Sequence, residues 1–339
     1  MSPIDVIIPV YNAPELTRRC IDSVLTHLDS SMGRIHIQDD ASDEDTRAML
    51  AELPQARIEV HRALENRGFG ASVNEAMQRT GTPCVLVLNS DVEISADILP
   101  PLYAALAADA RLAVIIPAGN DYARYDLERY SRTPGGYIPT HRLQGHAFLV
   151  RRDVFLELGG FDPAYGRGYY EDVDLGRRLD RHGWRIGVHP EVHVYHAGGG
   201  SFGRGQAFRE LVRRNRSLYY ARHPGARRNV LLLTGRSVPG SLPPALVDAT
   251  EDVFHQGGYI HWLTPESTQS LSCLQMRHDL ISPGAVAKLV LRGWRSDKRI
   301  SDIWMAADAP RLLRAFLTLW GYCRNIEVRL WEKHGSLKK

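Results

Sequence analysis

The feature that most narrows what this chain can fold into is a rhythm across residues 4–108, where short apolar runs alternate with stretches of helical spacing. Asp5-Val6-Ile7-Ile8-Pro9-Val10 reads as a buried strand, followed by a helix over 15–28 with Leu16, Cys20 and Val24 on one face. The unit then repeats: a strand at 34–38 and a helix at 43–53, a strand at 57–61 and a helix at 71–79, a strand at 84–88 and a helix at 98–108. Strands alternating with helices are joined by right-handed crossovers into a largely parallel sheet. Ligands of such sheets gather at the carboxyl ends of the strands. The residues just after Val10, Gln38 and Leu88 are therefore the first places to look for function.

Composition removes several classes. A chain of 339 residues with 44% hydrophobic and 24% charged residues is neither disordered nor collagen-like. At roughly 150 residues per domain it has room for two domains. Four cysteines, Cys20, Cys84, Cys273 and Cys323, lie far apart with no CxxC, so neither a zinc knuckle nor a disulfide framework is written here. Reduced thiols suit a cytoplasmic location. No apolar run approaches the ~20 residues of a membrane span, and Met1-Ser2-Pro3-Ile4-Asp5 runs into a strand rather than a signal peptide. The net charge of +3 is uneven: residues 201–339 hold 22 Lys and Arg against 11 Asp and Glu, and residues 1–200 hold 20 against 28. An acidic front suits bound cations and a basic rear suits phosphates or an anionic membrane surface. Solvated, arginine-rich helix faces would give the same numbers.

Farther along, residues 119–145 form a polar excursion with Tyr122, Tyr125 and Tyr130. A strand at 147–150, a short helix at 152–158 and an acidic helix over 171–182, stopped by Gly183, come next. Strands at 185–188 and 192–195, a glycine loop at 198–205 and a basic helix at 206–221 complete this part. His223-Pro224-Gly225 reads as a linker, dividing 1–223 from 224–339. Beyond it the alternation restarts, with strands at 230–233, 259–263 and 300–305 and helices at 244–255, 283–292 and 310–320. This predicts a smaller second α/β unit.

The strand ends carry the chemistry. Strand one runs out through Pro9, Tyr11 and Asn12, and strand two ends in Asp39-Asp40-Ala41-Ser42-Asp43, which can bind a base and ribose or cap the next helix. In Asn66-Arg67-Gly68-Phe69-Gly70-Ala71-Ser72-Val73-Asn74 the glycines permit close approach of backbone to a ligand. The run Asn89-Ser90-Asp91-Val92-Glu93 would, by alternation, set residues 89, 91 and 93 on one side, facing one hard cation. Gly145, then Gly159-Gly160-Phe161-Asp162, then Tyr170-Glu171-Asp172-Val173-Asp174-Leu175 with Arg178, and His196 before Gly199-Gly200-Ser201, follow in order.

In this order, over about residues 4–222, the motifs resemble the family-2 glycosyltransferases of the GT-A fold. The resemblance implies an α/β architecture with a GT-A-type, mostly parallel nucleotide-binding sheet flanked by helices; the smaller C-terminal α/β unit rests on the alternation alone. It implies inverting transfer of a sugar from a nucleotide diphosphate donor, UDP- or dTDP-linked, to a hydroxyl of a glycan or lipid-linked acceptor, in cell-surface polysaccharide or glycoconjugate synthesis. Carried over residue by residue, Asp172 is the general base, and Asp91 with His196 holds a divalent cation, Mg²⁺ or Mn²⁺. Pro9, Tyr11, Asn12, Asp39, Asp40, Asn66, Gly68, Asn74, Asn89 and Ser90 bind the donor, and Gly145 and Glu171 the acceptor. The family pattern is Asp-x-Asp; here Asn89 stands first, one carboxylate fewer at the cation. Taken without the resemblance, Glu171 and Asp172 are equally readable as first-turn helix acids, and His196 as a structural strand-end histidine.

Two other classes compete. A sugar-1-phosphate nucleotidyltransferase would want a glycine-rich, arginine-bearing loop after strand one, where this chain has Pro9-Val10-Tyr11-Asn12-Ala13-Pro14. A non-catalytic binding module draws support only from Asn89. Gly198-x-Gly200-x-x-Gly203 spells a dinucleotide fingerprint. It does not open the first βαβ unit, however, and no acid follows ~20 residues on, so a loop over donor phosphates with Ser201 and Arg204 is expected instead. Arg292, Arg295, Lys298, Arg299, Arg311, Arg314, Arg324, Arg329 and Lys333 interleave with Trp294, Trp304, Trp320 and Trp331. That pattern suits either a headgroup-level surface at the inner face of a membrane or tryptophans turned into a core. Nucleic acid is not expected among the partners.

Overall fold

The computed structural model describes residues 2–28, 31–198, 205–236, 239–291, 299–332 and 337–338. The chain divides into two compact units, Met1–Asp126 with Arg132–Tyr219, and Leu127–Ser131 with Tyr220–Lys339.

The first unit opens with the expected alternation: β1 (Ile4–Val10), α1 (Pro14–His27), β2 (Met32–Asp39), α2 (Glu44–Ala51), β3 (Ile58–Arg62), α3 (Phe69–Arg79), β4 (Cys84–Leu88), β5 (Val92–Ile94) and α4 (Leu99–Ala108). Every residue of β1 and β4 is buried, as suits apolar strands covered on both faces. β1 pairs in parallel with β2 and β4, and β2 with β3. Beyond β4 the sheet becomes mixed. It continues through β6 (Leu112–Gly119), β7 (Ile138–Thr140), β8 (Ala147–Arg151), α5 (Arg152–Glu157), α6 (Glu171–Arg181), β9 (Arg185–His196) and α7 (Gln206–Arg222). β8 lies antiparallel between β4 and β6, and the strand order is β3-β2-β1-β4-β8-β6-β9-β5, with β7 also on β9.

Two local readings change. The fully buried run Leu112-Ala113-Val114-Ile115-Ile116 belongs to a strand that the alternation did not announce. The strands expected at 185–188 and 192–195 are one strand, whose pairing to β6 jumps from His189 to His193. Pro190, with no N–H for the ladder, stands in the gap.

In the second unit β10 (Asn229–Leu233), α8 (Pro244–His255), β11 (Tyr259–Thr264), β12 (Met276–Leu280), α9 (Pro283–Leu291), β13 (Asp302–Ala306), α10 (Arg311–Arg324), β14 (Glu327–Trp331) and β15 (Leu337–Lys338) build a sheet ordered β12-β11-β10-β13-β14-β15. All pairs but the last are parallel. β12 and β14 were not legible as strands, because MRHDL and EVRLW lack an apolar run. Five residues of the polar excursion also belong here. Ser131 N–H donates to Leu271 O (2.9 Å), Leu271 N–H to Arg129 O (2.9 Å), and the Tyr130 phenol to Met276 O (3.2 Å). His223-Pro224-Gly225 is packed rather than a free linker: His223 is buried, and a Cβ on Gly225 would meet the Gln256 side chain at 2.6 Å.

Of the two readings of the tryptophans, the described ones follow the second and turn into the core. Trp262 and Trp304 are fully buried, Trp331 is buried, and Trp320 packs half-buried against the cluster of Leu231, Ile303, Met305 and Leu317. Trp294, Arg292, Arg295, Lys298 and Lys333 lie outside the described residues.

One contact in the first unit sets up the site. The buried Asn215 amide on α7 donates to the carbonyls of Tyr165 (2.7 Å), Gly168 (2.7 Å) and Tyr169 (3.1 Å). That clamp holds a turn in which Tyr169 and Tyr170 both take left-handed backbone, φ 70° and 78°, a conformation that costs on the order of 1 kcal/mol or more per residue. α6 starts from it, carrying Glu171 and Asp172. Replacing Asn215 by Leu, which keeps the bulk and removes the donors, is expected to lower unfolding free energy by about 2–3 kcal/mol in urea titrations, because buried carbonyls lose their partner.

Candidate active site

A cleft of about 480 Å³ in the first unit opens where β1, β2 and β4 end. Pro9, Tyr11, Asp40, Asn66, Gly68, Asn89, Ser90, Asp91, Gly145, Glu171, Asp172 and His196 all line it. Asn12, Asp39 and Asn74 do not line it. Asn12 Oδ1 accepts from Asp43 N–H (2.8 Å) while its own N–H donates to Ser42 Oγ (2.9 Å). Asp39 accepts from Ser42 N–H (2.9 Å) and pairs with Arg62. The Asn74 amide is bonded at both ends to the Phe161 backbone (2.8 and 2.7 Å). These three brace the loops behind the wall.

Asp40 and Gly68 belong to one device. The Asp40 carboxylate accepts from Arg67 N–H (2.9 Å) and Gly68 N–H (2.7 Å), tying the third loop to the end of β2. Gly68 has φ 93°, and a Cβ there would lie 2.2 Å from Arg167 Cα. The close approach this glycine permits is thus to the chain's own backbone.

The alternation expected over 89–93 is broken. Residues 89–91 turn, with Val92 N–H donating to Asn89 O (3.1 Å), before β5 begins. Glu93 consequently points elsewhere and pairs with Arg19 (3.2 Å). Asn89 and Asp91 stay in the cleft, and Asn89 Oδ1 is buried without a hydrogen-bond partner among the described residues.

Two carboxyl groups start α6. Asp172 accepts from Gly145 N–H (3.0 Å) and Val173 N–H (2.7 Å). Burial raises its pKa, opposed by the nearby Arg142 and by those hydrogen bonds. Burial, with the charge of Asp172 beside it, pushes Glu171 up to about 8. Burial thus holds both carboxyl groups of the pair above the ordinary carboxylate range.

Across the cleft stand two imidazoles, His146 and His196, stacked at 4.8 Å between centroids and 8° between planes. His196 Nε2 is 3.3 Å from Asp91 Oδ1, and its Nδ1 is 3.0 Å from Asp121 Oδ2. Burial opposes charge on His196, but its bonds to Asp91 and Asp121 outweigh that and raise its pKa. His146 is pushed down to about 4 by burial and by His196. Asp121, Arg124, Arg142, Gln144, His146 and Tyr169 line the cleft without having been singled out from sequence. Asp121 and Arg124 follow β6, so recognising 112–119 as a strand would have pointed to them. The glycine loop expected over the donor phosphates, with Ser201 and Arg204, lies outside the described residues.

The fold is that of the GT-A glycosyltransferases. It is similar to the mannosyltransferase PcManGT from Pyrobaculum calidifontis, solved in complex with GDP-Man and Mn²⁺ (TM-score 0.52, 20% identity, 66% of this chain and 64% of that one). It is also similar to GalNAc-T7, solved with UDP, GalNAc and Mn²⁺ (TM-score 0.50, 16% identity, 66% and 51%). Residues 5–159 match the family model of glycosyl transferase family 2. Among curated proteins, the chain is 41% identical over 91 residues to the N-acetylglucosaminyl-diphospho-decaprenol L-rhamnosyltransferase of Mycobacterium tuberculosis, in strains CDC 1551 and H37Rv. The match spans 27% of this chain and 29% of that protein, less than a third of its length.

The raised pKa of Glu171 has a thermodynamic consequence. A folded-state pKa near 8 against an ordinary 4.5 favours the native state fully below pH 4.5, and that advantage is lost as pH rises through 8. Glu171→Gln removes the group. In calorimetric melts its Tm relative to the unmodified protein is expected to climb between pH 5 and 8 and to level off above.

Proposed function

We propose that this protein transfers a sugar from a nucleoside diphosphate donor, UDP- or dTDP-linked, to an acceptor hydroxyl with inversion at the anomeric carbon. The observation that carries the reading is the single cleft in which the Asp91–His196 couple and the buried Asp172 carboxylate come together at the strand ends. Inversion needs one carboxylate to take the acceptor proton as the hydroxyl attacks. Asp172 is that group, its oxygens oriented by two backbone N–H donors and its basicity raised by burial. Glu171, pushed up to about 8 by burial and by Asp172, offers an O–H to the incoming glycan near neutral pH. Gly145 lines the same side.

On the donor side, Pro9, Tyr11, Asp40, Asn66, Gly68, Asn89 and Ser90 form the wall. Asn12, Asp39 and Asn74 act from behind it, by holding loops. Asp91 Oδ1 and His196 Nε2 are close enough to bind one small divalent ion together, and a mixed oxygen–nitrogen pair fits Mn²⁺ better than Mg²⁺. A cation there supplies positive charge to the departing diphosphate. Arg124 and Arg142 line the cleft as fixed cations of the chain itself. Asp172→Asn is expected to lower turnover by ~10²–10⁴ while calorimetry shows nucleoside diphosphate binding unchanged. Lost binding would make Asp172 a donor ligand or a structural group.

The acceptor in this proposal is a lipid-linked glycan, as the decaprenol in the mycobacterial relative's name suggests, which places the reaction at a membrane surface. No helix among the described residues is long and apolar enough to cross a membrane. The face that suits peripheral contact is on α10, where Leu312 (88% exposed), Phe316 (48%), Leu319 (64%) and Tyr322 (85%) fall on one stripe at helical spacing. The helix contains Arg311, Arg314 and Arg324 and no acid. Pairing with a second copy would set arginines against arginines, whereas an anionic lipid surface complements them. The full chain is expected to sediment with vesicles containing phosphatidylglycerol, less so as salt rises. Leu312→Ser/Leu319→Ser should abolish the sedimentation and leave donor hydrolysis intact. Equal binding to neutral vesicles, or none to either kind, removes the membrane contact.

A further inference from the structure

We propose that Asp121 and His146 belong to the cation site as the groups that hold His196 in its ligating pose, an inference resting on the cation reading above. His196, the last residue of β9, is fixed first through its backbone. Its N–H donates to Asn120 Oδ1 and its carbonyl accepts from Asn120 Nδ2, both at 2.9 Å. The ring is fixed next. Asp121 Oδ2 lies 3.0 Å from Nδ1, which makes Nδ1 the protonated nitrogen when the other nitrogen binds an ion. Nε2 then presents its lone pair on the side where Asp91 Oδ1 stands 3.3 Å away. A carboxylate behind a ligating imidazole sets its tautomer and orientation and makes the ring a stronger donor.

His146 supports the remaining degree of freedom. Its ring lies against the face of His196 at 4.8 Å and 8°, which opposes rotation of His196 out of the Asp91–Asp121 line. Its own position is set by strand pairing, because Asn89 N–H donates to His146 O (2.8 Å). Ala197 N–H likewise donates to Asp91 O (3.0 Å), so the segments bearing Asp91, His146 and His196 are joined directly by backbone bonds.

Asp121, His146 and His196 also bring their ligand atoms within 4.8 Å of one another, which raises the alternative that these three alone bind the ion. The ring geometry opposes it. Imidazole lone pairs lie in the ring plane, and planes only 8° apart do not converge on one ion. The stack therefore assigns one imidazole to the ion and the other to support.

The test is Mn²⁺ binding to the full chain without donor, followed by electron paramagnetic resonance of free Mn²⁺, with His196→Ala as the reference for a lost ligand. Asp121→Asn is expected to weaken binding 10–100-fold, the usual effect of an outer partner, with melting temperature and metal-free nucleoside diphosphate binding unchanged. His146→Phe, which keeps a flat ring on the stack, should stay within a few-fold of the parent. In the Cd²⁺-loaded protein, ¹⁵N spectra should show the ion on Nε2 of His196 and the proton on Nδ1. Parent-like affinity in Asp121→Asn, an ion on Nδ1, or a His146→Phe loss as deep as that of His196→Ala overturns the assignment while leaving the cation reading standing. A parent chain that binds no Mn²⁺ removes both.

Discussion

The first unit depends on the burial of β1 and β4 over their whole lengths. Strands covered on both faces satisfy their backbone groups within the sheet and admit a polar side chain only where it is bonded, as Asp5 is by the N–H groups of Arg34 and Gly81. Polar groups therefore collect at the strand ends, and those of β1, β2 and β4 fall together because the strands are parallel neighbours. The cleft follows from the sheet's own accounting of hydrogen bonds.

What distinguishes this cleft is that it is assembled from both directions of the mixed sheet. β8 enters antiparallel between β4 and β6, so the approach to its start, Gly145 and His146, lies beside the end of β4. β9 runs parallel to β6 and delivers His196 next to Asn120 and Asp121. Because β8 runs antiparallel, its start rather than its end meets the end of β4, which adds His146 to the end of the sheet where β9 delivers His196.

Burial governs titration within the cavity. It holds the proton on Glu171, with Asp172 adding to the effect, and it keeps His146 neutral, with His196 adding to the effect. The left-handed turn at Tyr169 and Tyr170, clamped by Asn215, is the backbone strain that aims the carboxyl pair.

The sequence by itself determined the alternation, and with it the helices of the first unit, the parallel strands and the placement of Asp91, Asp172 and His196 at element ends. Apolar periodicity is a local property, so it can be read from a window of residues. It also carried the second α/β unit, though not β12 or β14, whose polar residues hide them. Only the tertiary structure decided that Asn12, Asp39 and Asn74 brace the wall from behind. It likewise turned Glu93 away, sent Trp262, Trp304 and Trp331 inward, and brought Asp121 and His146 to His196. Each of these depends on which distant strand lies alongside, a matter of register and strand order that no local pattern contains.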